Sequence, residues 1–298
     1  MKNVDYFQVN EEILRIVKRE GVEILKSPEA WKRYKWTRKY FAKKPKGGFF
    51  IWVKKDTGIP ITTCVSIDGK NVKQSLDNLV VIEKGVHAKS YMICNSTMTS
   101  NGIHKAGGKI IVKEGSILET SSVQAWSDSV KVFLDYEYVL EKNSKIVYNF
   151  KLSKSPQTFS SKTKFVLMEN SSLRERTIID NRGNTKAVHK LEILLKGKDA
   201  NAISQLRAVG RDLSSLISDV LAIGENKAKA HLDCQGLVIG KRAKMKLIPS
   251  LFIKNREALL THEASIGRIV GEQLDYLRSR GLTEREAINL IVSGFLTL

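Results

Sequence analysis

A chain of 298 residues with 42% hydrophobic content carries enough apolar mass for a sizeable core and is not a disordered protein. Its 50 Lys and Arg against 31 Asp and Glu give a formal charge of +19, which points to an acidic partner, a nucleic acid or an anionic surface without choosing among them. Three widely spaced cysteines, Cys64, Cys94 and Cys234, with no CxxC pair, disfavour a disulfide framework and argue against a self-contained zinc or four-thiolate site. The opening MKNVDYFQVN has no apolar signal region and no run reaches the roughly 18 apolar residues of a membrane span, so a cytoplasmic protein without a membrane partner is expected.

Residues 1–48 read as an N-terminal helical segment. Asn10 is placed to cap a helix through about Arg19, with Ile13, Leu14 and Val17 on one face and Gly21 as its stop. Ser27, Pro28 and Glu29 then open a second helix, SPEAWKRYKWTRKYFAKK, in which aromatic and basic residues interleave. Such interleaving suits stacked bases and phosphates, but more often it anchors a helix to its own domain.

Residues 49–264 change texture to short strands of Val, Ile, Thr and Tyr. A unit recurs in VVIEKGVHAK, IIVKEGSILE, YVLEKNSKIV, FVLMENSSLR and ILLKGKDANA: an apolar pair, a polar turn, then alternating residues. Its turns, aligned on Gly85, Gly115, Asn143, Asn170 and Asp199, recur at a period of about 28 that halves to about 14 near Arg242 and Arg256. Units too short to bury their own face need stacked neighbours, which describes an all-β core folded as a parallel β-helix with two flat faces per coil. An antiparallel sandwich is the competing architecture. From 265 to 298 the pattern turns helical: a first helix from about Gly271 to Ser279 stops at Gly281, and Thr283 with Glu286 forms a capping box for a second.

Several chemistries are weighed and set aside. The second C-terminal helix, AINLIVSGFLTL, is apolar nearly all round, whereas a DNA-recognition helix needs a polar face. GLVIGKR lacks the GxxxxGK[ST] spacing of a phosphate loop, so no nucleotide is expected on this chain. The strands show scattered acids but no recurring acidic column for polysaccharide cleavage. Cys234 reads either as a small buried apolar residue or as a thiolate lowered by Lys229, Lys241 and Arg242. His262 and Glu263, being adjacent in a strand, point to opposite faces, so at most one shares the Cys234 pocket within a coil.

Two stretches carry a likeness that tips these readings. CNSTMTSNGIHKAGGKIIVKEGSILETSSVQAW, and the C-terminal block with HLDCQGLVIG, LIPSLFIKN, HEAS and YLRSRGLTEREAINLIVSGF, resemble the SufB/SufD family of SUF iron-sulfur cluster assembly scaffolds. The likeness covers most of residues 60–298, is closer to SufB, and suits a short form of archaeal or minimal type. It implies a right-handed parallel β-helix with short helical segments at both ends. It also implies a scaffold, not an enzyme, that carries a transient iron-sulfur cluster and works with a SufC-type ABC ATPase supplying ATP hydrolysis. Cys234, Glu263 and His262 match positions implicated in sulfur acceptance and metal ligation at a subunit interface. Cys94, Gln124 and Trp126 match positions associated with sulfur transfer through the β-helix. Because Cys234, His262 and Glu263 occur together, a homodimer is expected, with a SufD-like partner as the other option. The C-terminal helices, through Leu274, Leu277, Ile288, Ile291 and Phe295, are expected to dock the ATPase. A SufD-like structural subunit without a cluster, and a basic nucleic-acid-binding protein, are the rival readings.

Overall fold

In the computed structural model, residues 4–269 and 271–297 are described. The chain opens with β1 (Tyr6–Val9), β2 (Glu12–Ile16) and β3 (Val22–Lys26), followed by α1 (Ser27–Arg33), a 3-10 turn over Lys35–Tyr40 and β4 (Phe49–Val53). Ten strands follow: β5 (Ile61–Ile67), β6 (Val72–Ile82), β7 (His87–Ser96), β8 (Gly102–Val112), β9 (Ile117–Ala125), β10 (Val130–Leu140), β11 (Lys145–Lys154), β12 (Thr158–Leu167), β13 (Ser172–Asn181) and β14 (Lys186–Leu195). The last five are β15 (Ala200–Gly210), β16 (Ser215–Gly224), β17 (Ala228–Val238), β18 (Lys244–Ile253) and β19 (Leu259–Arg268). Two helices, α2 (Gly271–Ser279) and α3 (Glu284–Leu296), close the described chain.

From β5 to β19, odd strands stack in parallel in one sheet and even strands in the other, which is a parallel β-helix of about eight turns. The register makes the period concrete: Lys145 lies beside Ser172, Ser172 beside Asn201, and Thr158 beside Lys186. Alternation does the rest. In β13, Leu173, Glu175, Thr177 and Ile179 face inward and are buried, while Arg174 is exposed. The sandwich is thereby excluded, since no antiparallel pairing occurs among β5–β19.

The turns noted in the sequence form one corner of the coil. Gly85, Gly115, Asn143, Asn170 and Asp199 all take left-handed backbone, with φ of 72°, 70°, 59°, 53° and 59°. Each donates its N–H to a carbonyl of the next coil, as Asn143 does to Glu169 at 2.9 Å, and Asn170 Nδ2 donates to Asn143 Oδ1 at 2.7 Å. Glycine and asparagine tolerate that conformation, which is why they mark the period. The apparent halving near the end is a change of corner: Arg242 sits at the opposite turn, after β17, and Arg256 returns to the first, after β18.

The N-terminal segment departs from its expected form. No helix spans Asn10 to Arg19; Asn10 has φ of 53° and turns the chain between antiparallel β1 and β2. Its side chain closes that turn onto the coil, donating to the Asp68 carbonyl and accepting from the Asp68 N–H. The Ile13, Leu14 and Val17 spacing fits a helix, but β1 pairs with β5 and offers β2 a strand edge, so tertiary pairing overrides local pattern. The second helix is present but short. It breaks at Tyr34, whose ring lies 5.5 Å from Trp52, with Trp36 5.2 Å from Trp52 and 6.0 Å from Phe50. These aromatics anchor the segment to Leu79, Val81 and Ile111 on the outer face of the β6–β8 sheet, as the self-anchoring reading requires. Strands thus begin at Tyr6, ahead of residue 49, and the strand region runs on to Arg268, past 264.

At the C-terminus, α2 ends before Gly281 (φ 93°), and Thr283 caps α3 through the expected box with Glu286. The apolar side of α3 is spent on the chain itself. Ile288, Ile291 and Phe295 pack with Val292 against Val209 and Leu237 on the outer face of the odd-strand sheet. Among the described residues, no helix is long and apolar enough to cross a membrane.

Candidate functional site

Coil parity decides where each candidate lies. Cys94 in β7 faces the lumen, beside Gln124 of β9 in register, and both are buried. Gln124 links the group: its Oε1 accepts from Trp126 Nε1 at 3.1 Å, its Nε2 donates to Ser122 at 3.1 Å, and its side chain also meets the Cys94 thiol. Trp126 packs against His104 with the rings tilted by 36° and 4.7 Å between centroids. Burial pushes the Cys94 thiol up to about 12 and holds the His104 imidazole down to about 3, so both are neutral at physiological pH. Thus Cys94, Gln124 and Trp126 are brought together. Cys64 is outward-facing and half-buried, in contact with Ser66, and does not join them.

Cys234 in β17 also faces the lumen and is 1% exposed. Its thiol is pushed up to about 12, first by burial and then by the negative charges of Glu175 and Asp233, with Arg207 opposing. In the next coil its register partner is Ala264, so His262, opposite Leu232, sits diagonally from Cys234 on the same inward face. Glu263 faces outward beside Asp233, with its carboxylate 3.8 Å from His231. Cys234 and His262 therefore share a face, and Glu263 lies across the strand from both. Within one chain the three do not form a ligand set, and no group of three His, Cys, Asp or Glu side chains placed for a metal occurs among the described residues.

Residues 262–266 of β19 are exposed because nothing stacks on the last coil. His262, Ala264 and Ile266, which would be lumen residues in any other coil, face open space there, and β18 and β19 keep one edge each unpaired. Phe252, Ile253, Leu259 and Ile266 form an exposed apolar rim. A thiol one coil below this opening is covered by the final coil alone.

The lumen holds further polar chemistry that sequence reading missed. An internal cavity of about 60 Å³ reaches from Cys94 and Gln124 to Tyr148, Ser161, Glu175 and His189. Glu175 accepts from Thr177 and Ser204, and burial lifts its carboxyl to about 7. His189 pairs with Ser218 at 2.9 Å and is held down to about 4 by burial. Strand parity places both inward, but their register neighbours are Tyr148 and Ser204 for Glu175 and Ser161 and Ser218 for His189, a polar stretch of the lumen that the alternating pattern alone does not mark. Cys94 and Cys234 lie five coils apart, or ~24 Å at the usual strand spacing, and Glu175 lies between them. On the outer face, Arg207 and Asp233 form a buried ion pair at 2.6 Å, and Arg207 also donates to the Leu206 carbonyl.

Comparison with known proteins accords with this architecture. The SUF system FeS cluster assembly SufBD core domain matches residues 65–295. An iron-sulfur cluster assembly SufBD family protein of Methanothermobacter thermautotrophicus (strain Winter) is 26% identical over 94% of this chain and 74% of its own length. One from Archaeoglobus fulgidus is 26% identical over 94% of this chain and 80% of its own length. The iron-sulfur cluster assembly protein SufB of Bacillus subtilis is 24% identical over 84% of this chain and 55% of its own length. The chain belongs to the SufBD family of iron-sulfur cluster assembly proteins.

Proposed function

We propose that this protein is a SufB-like scaffold on which an iron-sulfur cluster is built, the cluster being its cargo and not a resident cofactor. The observation that carries the reading is a lone lumen thiol, Cys234, one coil below an uncapped barrel end that also presents His262. A single thiolate with imidazole and carboxylate ligands holds a cluster less firmly than four thiolates, which suits a protein that must release it. Since one chain does not assemble Cys234, His262 and Glu263, the remaining ligands come from a second subunit seated on the exposed β18–β19 rim. Pairing there also satisfies two open strand edges, so a second copy or a SufD-like chain completes both the sheet and the site. Opening the last coil relieves the burial that keeps the thiol protonated, and a SufC-type ATPase docked on the C-terminal helices supplies the work. The exposed Tyr276 and Leu290, with half-buried Leu274 and Leu277, are the apolar surface α2 and α3 leave for it. Cys94 with Gln124 and Trp126 takes up sulfur at the other end of the lumen. The setting is cytoplasmic, in keeping with three unpaired thiols.

Two observations favour a second reading. The burial of Cys234 and the missing ligand set also fit a SufD-like structural subunit that holds no cluster. Anaerobic reconstitution with iron and sulfide decides between them. The scaffold reading expects bound iron and acid-labile sulfide that are lost in Cys234→Ser; equal, background-level iron in both proteins selects the structural subunit.

A further inference from the structure

The charge of +19 is distributed unevenly in its consequences. Six lysines at the first corner and on the strands are paired coil to coil: Lys84 with Glu114, Lys109 with Glu137, Lys113 with Glu83, Lys142 with Glu169, Lys164 with Glu192 and Lys254 with Glu225, all at 2.6–2.8 Å. The opposite corner differs, because there several cations converge on one groove. At the corner after β13, β15 and β17, three successive coils bring Arg182, Arg211 and the Lys241–Arg242 pair into line, and Arg285 of α3 faces them across a groove of about 760 Å³. No carboxylate among the described residues pairs with Lys241, Arg242 or Arg285. Arg182 and Arg211 share one partner, Asp180, which leaves a net positive charge on that triad as well.

The groove's own acids do not cancel this. Asp212, whose Oδ2 accepts from the Gly183 N–H at 2.9 Å, also acts on Arg182, and Glu284 sits in the first turn of α3, so Asp180, Asp212 and Glu284 stand against Arg182, Arg211, Lys241, Arg242 and Arg285 and a net positive charge remains. Backbone donors are also committed: Thr283 Oγ1 takes the Glu286 N–H and the Glu286 carboxylate takes the Thr283 N–H. A single phosphate is normally cradled by free backbone N–H groups at a turn or helix start, and beside this groove two such donors at the start of α3 are already committed. It offers instead long, separately mobile cations along a channel whose walls include Ile239 and Ile288. No aromatic ring lines it for base stacking. Spaced cations around aliphatic contacts match a polypeptide carrying several carboxylates between apolar residues.

We infer that the groove between the β13, β15 and β17 corners and the start of α3 is a docking site for an acidic segment of a partner protein. This stands apart from the cluster-building reading, because none of its residues belongs to the Cys234 site. The test uses the full chain and a fluorescein-labelled peptide of about twelve residues alternating Glu and Leu, followed by anisotropy at several salt concentrations. Lys241→Glu with Arg242→Glu, and separately Arg285→Glu, are expected to weaken binding about tenfold or more and to flatten its salt dependence. The charge-matched control Lys131→Glu with Lys186→Glu, on the outer face of the even-strand sheet, is expected to change it by about twofold at most. Equal losses in control and groove variants overturn the site. So does displacement of the peptide from the groove by inorganic phosphate or by duplex DNA at lower concentration, which would make it a small-anion or nucleic-acid site. Unchanged far-ultraviolet circular dichroism and melting of each variant are measured alongside, so that a loss of binding is read on folded protein.

Discussion

The two ends of the β-helix are finished differently. At the first coil, β2 and β3 add antiparallel strands to the odd and even sheets, and Tyr34, Trp36, Phe50 and Trp52 seal the outer wall there. β2 mixes the charges Glu12 and Arg15 with exposed Leu14 and Ile16, and β3 carries Lys26 and a Glu23 paired with Arg33 and Lys54. At the last coil, β18 and β19 stop with no strand beyond them, and their rim is Phe252, Ile253, Leu259 and Ile266. A solenoid needs ends that terminate stacking, and among the described residues only the first coil is covered by further strands. One end is closed by the chain's own strands, and the other keeps two strand edges open.

The largest effect should fall at the sealed end. Phe50 is fully buried among the aromatic cluster, so Phe50→Ala is expected to cost about 3–5 kcal/mol in urea unfolding. Phe252→Ala, at the bare rim where the ring is 54% exposed, is expected to stay within about 0.5 kcal/mol for the isolated chain. Comparable losses at both positions would erase the contrast.

Between the ends, the lumen carboxyl makes a pH-dependent version of the same comparison. The Glu175 carboxyl rises from 4.5 to about 7 on folding, so it costs nothing below about pH 4.5 and its full penalty is present above about 7. The sign is therefore a loss of stability as pH rises through that window, of about 3 kcal/mol at most. Glu175→Gln keeps one acceptor oxygen for Thr177 or Ser204 and turns an Nε2–H toward the other hydroxyl, which can accept it, and is expected to recover most of it at pH 8 and almost none at pH 4.5. Parallel unfolding curves at both pH values check this; an equal gain at both would show that charge is not the cause.

At the bare end the expected change is in association. The unmodified chain should sediment as a dimer, and Leu259→Lys with Ile266→Asp should raise the dissociation constant on the order of a hundredfold, leaving monomer. A strict monomer at high concentration before any substitution would remove self-pairing and leave a SufD-like partner to complete the rim.

How much of this could be read from residues alone differs by level. The 28-residue period and its Asn and Gly turns were legible because left-handed corners restrict residue choice and stacked coils repeat them. The Thr283–Glu286 box and the Gly281 stop were legible for the same local reason. The β1–β2 hairpin was not, since Ile13, Leu14 and Val17 satisfy a helical spacing and only the β5 edge favours a strand. Of the candidate site, the grouping of Cys94 with Gln124 and Trp126 followed the quoted motif, and the opposite faces of His262 and Glu263 followed from strand parity. Burial of Cys234 depends on which coil covers it, and that α3 turns Ile288, Ile291 and Phe295 inward depends on Val209 and Leu237, far away in sequence.

The smallest effect tests whether the C-terminal hairpin is part of the bare end or a separate unit. Thr283 accepts the Glu286 N–H and α3 lies on Val209 and Leu237, so Thr283→Ala should lower stability by only about 1 kcal/mol. The loss should appear as faster amide exchange in α3 with the β-helix core protected, because the cap governs the helix and not the coils beneath it. If β15 and β17 lose protection together with α3, the hairpin and the last coils open as one unit. Cys234, lying in β17, would then be uncovered by the same motion.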